Sequence, residues 1–139
     1  MSAEQKSRPV ILVVEDDANQ RLYYQEELEA AGYEVVTASS GPEAVEKVSA
    51  GGIDLVLLDI GMPGMDGIEA LARILDIDRE LPVILNTAYS DYRDDFMTWT
   101  AEAYVTKSSD PSLLHKHIRD ALLKHGIQPP PETGETTQA

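Results

Sequence analysis

The chain contains no cysteine. Disulfides, thiol nucleophiles and thiolate metal sites are therefore excluded. Positive charge is scarce: 11 Lys and Arg stand against 25 Asp and Glu, giving a formal net charge of -14. Phosphate backbones are bound by an excess of Lys and Arg, so this balance argues against nucleic acid as a direct partner. It argues equally against docking on an anionic membrane surface. The longest apolar runs are about five residues, far short of the roughly 20 that a membrane helix needs. The first eight residues, Met1-Ser2-Ala3-Glu4-Gln5-Lys6-Ser7-Arg8, have no apolar core and do not read as a signal peptide. The expected location is the cytoplasm.

What is present is enough for one domain with a real core: 139 residues, 42% of them hydrophobic. Two of its apolar runs end in carboxylates. Val10-Ile11-Leu12-Val13-Val14 leads into Glu15-Asp16-Asp17, and Ile53-Asp54-Leu55-Val56-Leu57-Leu58 leads into Asp59. Runs of this kind read as buried strands that deliver a charged group to a sheet edge. Carboxylates brought together repel one another unless a cation sits among them, so the pattern predicts a hard divalent metal.

Strands and amphipathic segments alternate along the chain. Asp17 and Gln20 have capping-box spacing, with Tyr24, Leu28 and Ala31 forming a helical stripe that stops at Gly32. A strand runs from Tyr33 to Ala38. A helix follows Ser40-Gly41-Pro42, turns Ala44, Val45 and Val48 inward and ends at Gly51-Gly52. The third strand runs from Asp54 to Asp59. A third helix begins at Asp66-Gly67 with Ile68, Leu71, Ala72 and Leu75 on one side. Strands follow from Leu81 to Thr87 and from Glu102 to Thr106. Asp110-Pro111 caps a last helix that buries Leu114, Ile118, Ala121 and Leu122 and stops at Gly126. Residues 1–8 are expected to be a flexible N-terminus, 9–126 the domain, and 127–139 a disordered tail. The alternation implies a parallel sheet covered by helices on both faces, an α/β doubly wound fold whose site lies at the carboxyl ends of the strands. Glu15 with Asp16, Asp59, Thr87 and Lys107 all fall at that edge.

Taken together, Glu15-Asp16, Asp59-Ile60-Gly61-Met62-Pro63, Thr87-Ala88, and Tyr104 with Lys107 resemble the receiver domain of two-component response regulators, of the single-domain, chemotaxis-regulator-like kind. The resemblance covers about residues 9 to 126. It implies a (βα)5 flavodoxin-like sandwich with strand order 2-1-3-4-5. It also implies that Asp59 is a phosphoacceptor, with Mg²⁺ (or Mn²⁺) held by Glu15, Asp16, Asp59 and the backbone carbonyl of Gly61. Lys107, the Thr87 hydroxyl and the Ala88 N–H would hold phosphoryl oxygens, and Thr87 with Tyr104 would form the switch. The implied partners are a sensor histidine kinase or a histidine phosphotransfer protein, and a downstream protein target. On this reading the chain catalyses only its own phosphorylation and dephosphorylation.

Several positions depart from the family pattern. Glu15 stands where Asp is commoner. Ser108 replaces the usual proline after Lys107, leaving a trans or a strained cis bond open. Residues 88–100 are about two residues short of the family's length, with weak helical periodicity from Asp91 to Trp99, so a short, irregular fourth helix is expected there. Phe96 and Trp99 read as core packing. Tyr89, two residues after Thr87, is expected to hinder a hydrolytic water. His115, His117 and His125 do not share a spacing suited to metal ligation and read as solvated, with Lys124 and His125 favouring a helix C-terminus. A phosphorylation-independent pseudo-receiver, acting as a constitutive binding module, is the competing reading. A haloacid-dehalogenase-like phosphatase fits poorly because Gly61 occupies the place of its second Asp. An FMN-binding flavodoxin fits poorly because Glu15-Asp16-Asp17 would repel the cofactor's phosphate.

Overall fold

Alternation of side chains at period two decides which residues of each strand serve which face of the sheet. In β1 (Val10–Val14), Ile11 and Val13 join one apolar cluster while Leu12 and Val14 join the other. In β3 (Leu55–Leu58), Leu55 and Leu57 go with the first cluster and Val56 and Leu58 with the second. A strand buried on both faces is the physical reason these runs are apolar without interruption.

The computed structural model describes residues 8–59, 67–88, 100–107 and 110–131. Its elements are completed by α1 (Ala18–Ala30), β2 (Glu34–Ala38), α2 (Gly41–Ala50), α3 (Gly67–Ile77), β4 (Val83–Thr87), β5 (Ala103–Thr106) and α4 (Ser112–Lys124). All four strand pairings are parallel and the sheet order is β2-β1-β3-β4-β5, as expected. Leu28, Tyr33, Ile118 and Leu122 fill the face under α1 and α4, whereas Ala44, Val48, Ala70, Leu71 and Ile74 fill the face under α2 and α3. Each fully buried Leu or Ile contributes roughly 1.5–3 kcal/mol of transfer free energy. The segment expected to form a short helix, Asp91 to Trp99, lies outside the described residues, as do Tyr89 and Ser108.

Local signals worked as chemistry. Asp17 Oδ1 accepts from the backbone N–H groups of Asn19 and Gln20 at the start of α1. Ser40 Oγ accepts from Glu43 N, and Glu43 Oε1 returns to Ser39 N at 2.9 Å. Asp110 Oδ1 accepts from Ser112 N at 3.0 Å, the first residue of α4. Gly32 takes φ +102°, the left-handed stop after α1.

Three expectations are corrected. In α3 the fully buried positions are Ala70, Leu71 and Ile74, while Ile68, Ala72 and Leu75 are only partly covered. Leu71 is common to both sets, and Ile68 and Leu75 flank the buried stripe and pack against the same cluster. Second, Gln20 does not close a capping box: its side chain points to Lys107. Third, residues 127–131 are not loose. Ile127 N donates to Leu122 O at 2.8 Å and its side chain packs on the α1/α4 cluster. Pro129 is buried, and Pro130 O accepts from Arg119 at 2.6 Å. Proline is stiff, so ordering a Pro-rich strap loses little chain entropy; the expectation of disorder rests instead on how few apolar side chains the stretch has to anchor it.

Candidate functional site

Register brings the acidic residues together. Val14 of β1 is aligned with Leu58 of β3, so the next residues, Glu15 and Asp59, emerge side by side at the carboxyl edge. Asp59 N donates to Val14 O at 3.1 Å and Glu15 N to Ala38 O at 3.0 Å, which extends the ladder by one residue on each side of β1. Carboxylate oxygens of Glu15, Asp16 and Asp59 all lie within 4.8 Å of one another. Glu15 and Asp59 are buried and Asp16 is exposed. Three hard oxygen donors, one of them open to solvent, suit a small divalent cation that keeps some of its water. Gly61, expected to add a carbonyl, lies outside the described residues.

Lys107 arrives from the far side of the sheet. Its backbone N donates to Thr87 O at 2.7 Å, fixing the end of β5 against the end of β4. Its Nζ donates to Glu15 Oε1 at 2.6 Å, to Gln20 Oε1 at 2.6 Å and to Asp59 Oδ2 at 3.2 Å. Burial works against the ammonium, but the hydrogen bond to Glu15 and the charges of Asp59 and Glu15 outweigh it and hold its pKa above the ordinary 10.5. For Glu15 burial wins the other way. It pushes the carboxyl above its ordinary 4.5, with Lys107 opposing and Asp59 adding to the rise. Three carboxylates facing one ammonium leave the cluster with negative charge in excess, a deficit that a dication corrects.

Thr87 ends β4 fully buried. Leu85 is aligned with Tyr104 across the β4–β5 pair, and both belong to the α2/α3-face cluster. Thr87 stands two residues further along that same face, so Thr87 and Tyr104 are diagonal neighbours on adjacent strands. Tyr104 is half-buried and Ala88 is exposed one residue past the strand.

Two residues escaped sequence reasoning. Gln20 looked like a helix cap. Arg21, whose Nη1 donates to the Glu15 carbonyl at 2.8 Å, belongs to no motif singled out in the sequence. Their position in the first turn after an acidic pair was the available signal, since that turn must pass over the site. The histidines also differ from expectation. His115 Nε2 lies 3.0 Å from Glu27 Oε2, bridging α4 to α1, and His125 Nε2 lies 3.0 Å from Glu102 Oε1. Both imidazoles are partly buried and paired rather than freely solvated.

Comparison with known proteins gives one answer. A family profile, the response regulator receiver domain, matches residues 11–119. Sporulation initiation phosphotransferase F of Bacillus subtilis is 42% identical over 116 residues, covering 83% of this chain and 91% of that protein. The uncharacterized transcriptional regulatory protein YkoG of the same organism is 39% identical over 120 residues, covering 85% of this chain but only 53% of YkoG. This chain likewise spans 51% of the length of the alkaline phosphatase synthesis regulator PhoP and 30% of Klebsiella oxytoca ZraR. Among solved structures, the response regulator TrrA of Thermotoga maritima in complex with Mg²⁺–BeF is 43% identical with a TM-score of 0.80, covering 82% of this chain and 99% of TrrA. TrrA has also been solved in complex with the histidine kinase ThkA, and that TrrA chain matches with a TM-score of 0.78 over 82% of this chain and 98% of its own.

Proposed function

The chain belongs to the response regulator receiver family, and from that premise we propose that it is a phosphorylatable switch whose acceptor is Asp59. A sensor histidine kinase or a histidine phosphotransfer protein donates the phosphoryl group, and a downstream protein reads the result. The observation that carries this reading is the convergence of the Glu15, Asp16 and Asp59 carboxylates within 4.8 Å of one another, with the Lys107 ammonium in contact with two of them.

Each residue has a chemical task. An oxygen of the Asp59 carboxylate attacks phosphorus; the new O–P bond forms as the P–N bond of phosphohistidine breaks, and the imidazole departs with its electron pair. Glu15, Asp16 and Asp59 would hold Mg²⁺ or Mn²⁺, with the Gly61 carbonyl proposed as a further ligand. The bound ion supplies charge neutralisation where two anions must meet. Lys107 gives up a carboxylate contact and donates to a phosphoryl oxygen, as a mobile point charge on a flexible stem can. The Thr87 hydroxyl and the Ala88 N–H take another oxygen. Movement of Thr87 toward the phosphoryl group opens room for its diagonal neighbour Tyr104, and the two arrangements form the output equilibrium. The chain turns over no separate substrate in this scheme. No described helix is long and apolar enough to cross a membrane, and a cytoplasmic location beside a kinase's transmitter region is proposed.

Incubation with Mg²⁺ and acetyl phosphate, followed by intact-mass measurement, tests the reading. One added phosphoryl group that is lost in Asp59→Asn supports it. No adduct, together with amide spectra unmoved by Mg²⁺ and beryllofluoride, would establish the pseudo-receiver instead, a fold used as a phosphorylation-independent binding module.

A further inference from the structure

An ammonium has three protons to donate, and Lys107 finds three acceptors. Two of them, Glu15 and Asp59, are carboxylates that a dication also claims. The third, Gln20 Oε1 at 2.6 Å, is of another kind. It is neutral, stands in the first turn of α1 and takes no part in the carboxylate cluster. Its backbone is fixed there by the Asp17 cap, which accepts from Gln20 N at 3.2 Å. Lys107 has no acceptor to offer, so the amide must present its oxygen, and the orientation of the Gln20 side chain is determined by that contact.

We propose that Gln20 is a positioning residue for Lys107, a charge-independent anchor that keeps the ammonium in the site while its carboxylate partners change hands. A lysine stem has many rotamers, and a lysine tethered only by anions is released as those anions are neutralised. The hold of a neutral amide does not change when a cation or a phosphoryl group arrives. Gln20 therefore acts as the pivot about which Nζ swings from Glu15 toward a phosphoryl oxygen. This rests on the reading of Asp59 as acceptor and of Lys107 as counter-charge to the transferred group.

The test uses the full chain, with beryllofluoride plus Mg²⁺ as one probe and Mg²⁺ alone as the other, both titrated by amide spectra. Gln20→Met keeps length and volume but removes the oxygen. It is expected to weaken beryllofluoride binding about tenfold, the loss that goes with one hydrogen bond to a charged donor. Mg²⁺ affinity should stay within about twofold, because an uncharged group outside the ligand set is removed. In a Lys107→Ala background the same substitution should have no further effect. In the Mg²⁺-loaded protein, where the carboxylates are claimed by the cation, the Lys107 Nζ resonance should be visible in wild type and in Gln20→Glu, which retains an oxygen acceptor, and be broadened by exchange in Gln20→Met. Unchanged beryllofluoride affinity in Gln20→Met, or an equal loss with Lys107 already removed, overturns the proposal. If wild type itself fails to bind beryllofluoride, the acceptor reading falls, while the Nζ resonance still decides whether Gln20 holds the ammonium.

Discussion

Lys107 Nζ lies 2.6 Å from Glu15 Oε1, closer than its 3.2 Å approach to Asp59 Oδ2. The extra methylene of glutamate, at a position where the family more often has aspartate, lets this carboxylate reach across the site. It also leaves Glu15 as a buried acid beside a second acid.

That burial has a pH signature. Glu15 has its folded-state pKa raised, chiefly by burial, so the folded protein keeps a proton that the unfolded chain loses near 4.5. Its contribution favours folding below 4.5 and is lost as pH rises through the higher folded value. Glu15→Gln removes the titration and keeps an acceptor for Lys107. At pH 7 without divalent cations it should unfold at a higher temperature than wild type, with the gap closing as pH falls toward the unfolded value of 4.5. Mg²⁺ affinity should drop by about an order of magnitude. Calorimetry across pH decides, and a lower Tm for the variant at pH 7 would show that the lysine contact outweighs the cost of burial.

Glu102 titrates in the opposite sense. Burial raises its pKa, but hydrogen bonds from His125 and Lys124, with their charges, more than reverse this and leave it below 4.5. Stability from this cluster is present above 4.5 and is lost as pH falls through the lower folded value. Glu102→Gln should lower Tm at pH 6 by a few degrees, roughly 0.5–1 kcal/mol for a partly exposed pair, and be silent near pH 3. An equal deficit at both pH values would assign the effect to packing.

The strap of residues 127–131 predicts a coupled pair of costs. A Cβ on Gly32 would lie 2.8 Å from Pro130 Cβ, and Gly32 sits at φ +102°. Gly32→Ala should destabilise the chain by about 2–3 kcal/mol, about half from backbone conformation and the rest from displacing Pro130. Ending the chain after Gly126 should be destabilising in wild type and cost much less in Gly32→Ala, since the strap contact is already lost. Additive losses in urea titrations would separate the two features.

Thr87 and Tyr104 carry the remaining prediction. Thr87→Ala should still accept a phosphoryl group at Asp59, with beryllofluoride affinity reduced by less than about tenfold. The change in the Tyr104 ring resonances on adding beryllofluoride should be reduced by more than half. A full Tyr104 response in this variant would detach the tyrosine from the hydroxyl.

Much of this was legible in the chain because the signals are one-dimensional. Carboxylates after Val14 and Leu58 mark strand ends, and parallel strands that start in register also end in register. Asp17, Ser40 and Gly32 act within three or four residues of themselves, so local sequence was enough. Gln20, Arg21 and Glu102 were not legible in the same way. Gln20 and Lys107 are 87 residues apart, and nothing along the chain distinguishes a glutamine that closes a cap from one that reaches across a site. Ile127 and Pro129 were misjudged because a short Pro-rich stretch has few apolar atoms, and only the groove beneath it shows that these suffice.

The alignment of Val14 with Leu58 also sets a tolerance on mutation. The site is encoded as a count of residues: five in β1 and four in β3 bring Glu15 and Asp59 to the edge together. Deleting one residue from either strand would invert the facing of everything after it and send its carboxylate into the opposite apolar layer. Substitutions along β1 and β3 are therefore graded in effect. Single-residue insertions and deletions there should be all-or-none, abolishing metal affinity and the fold in one step.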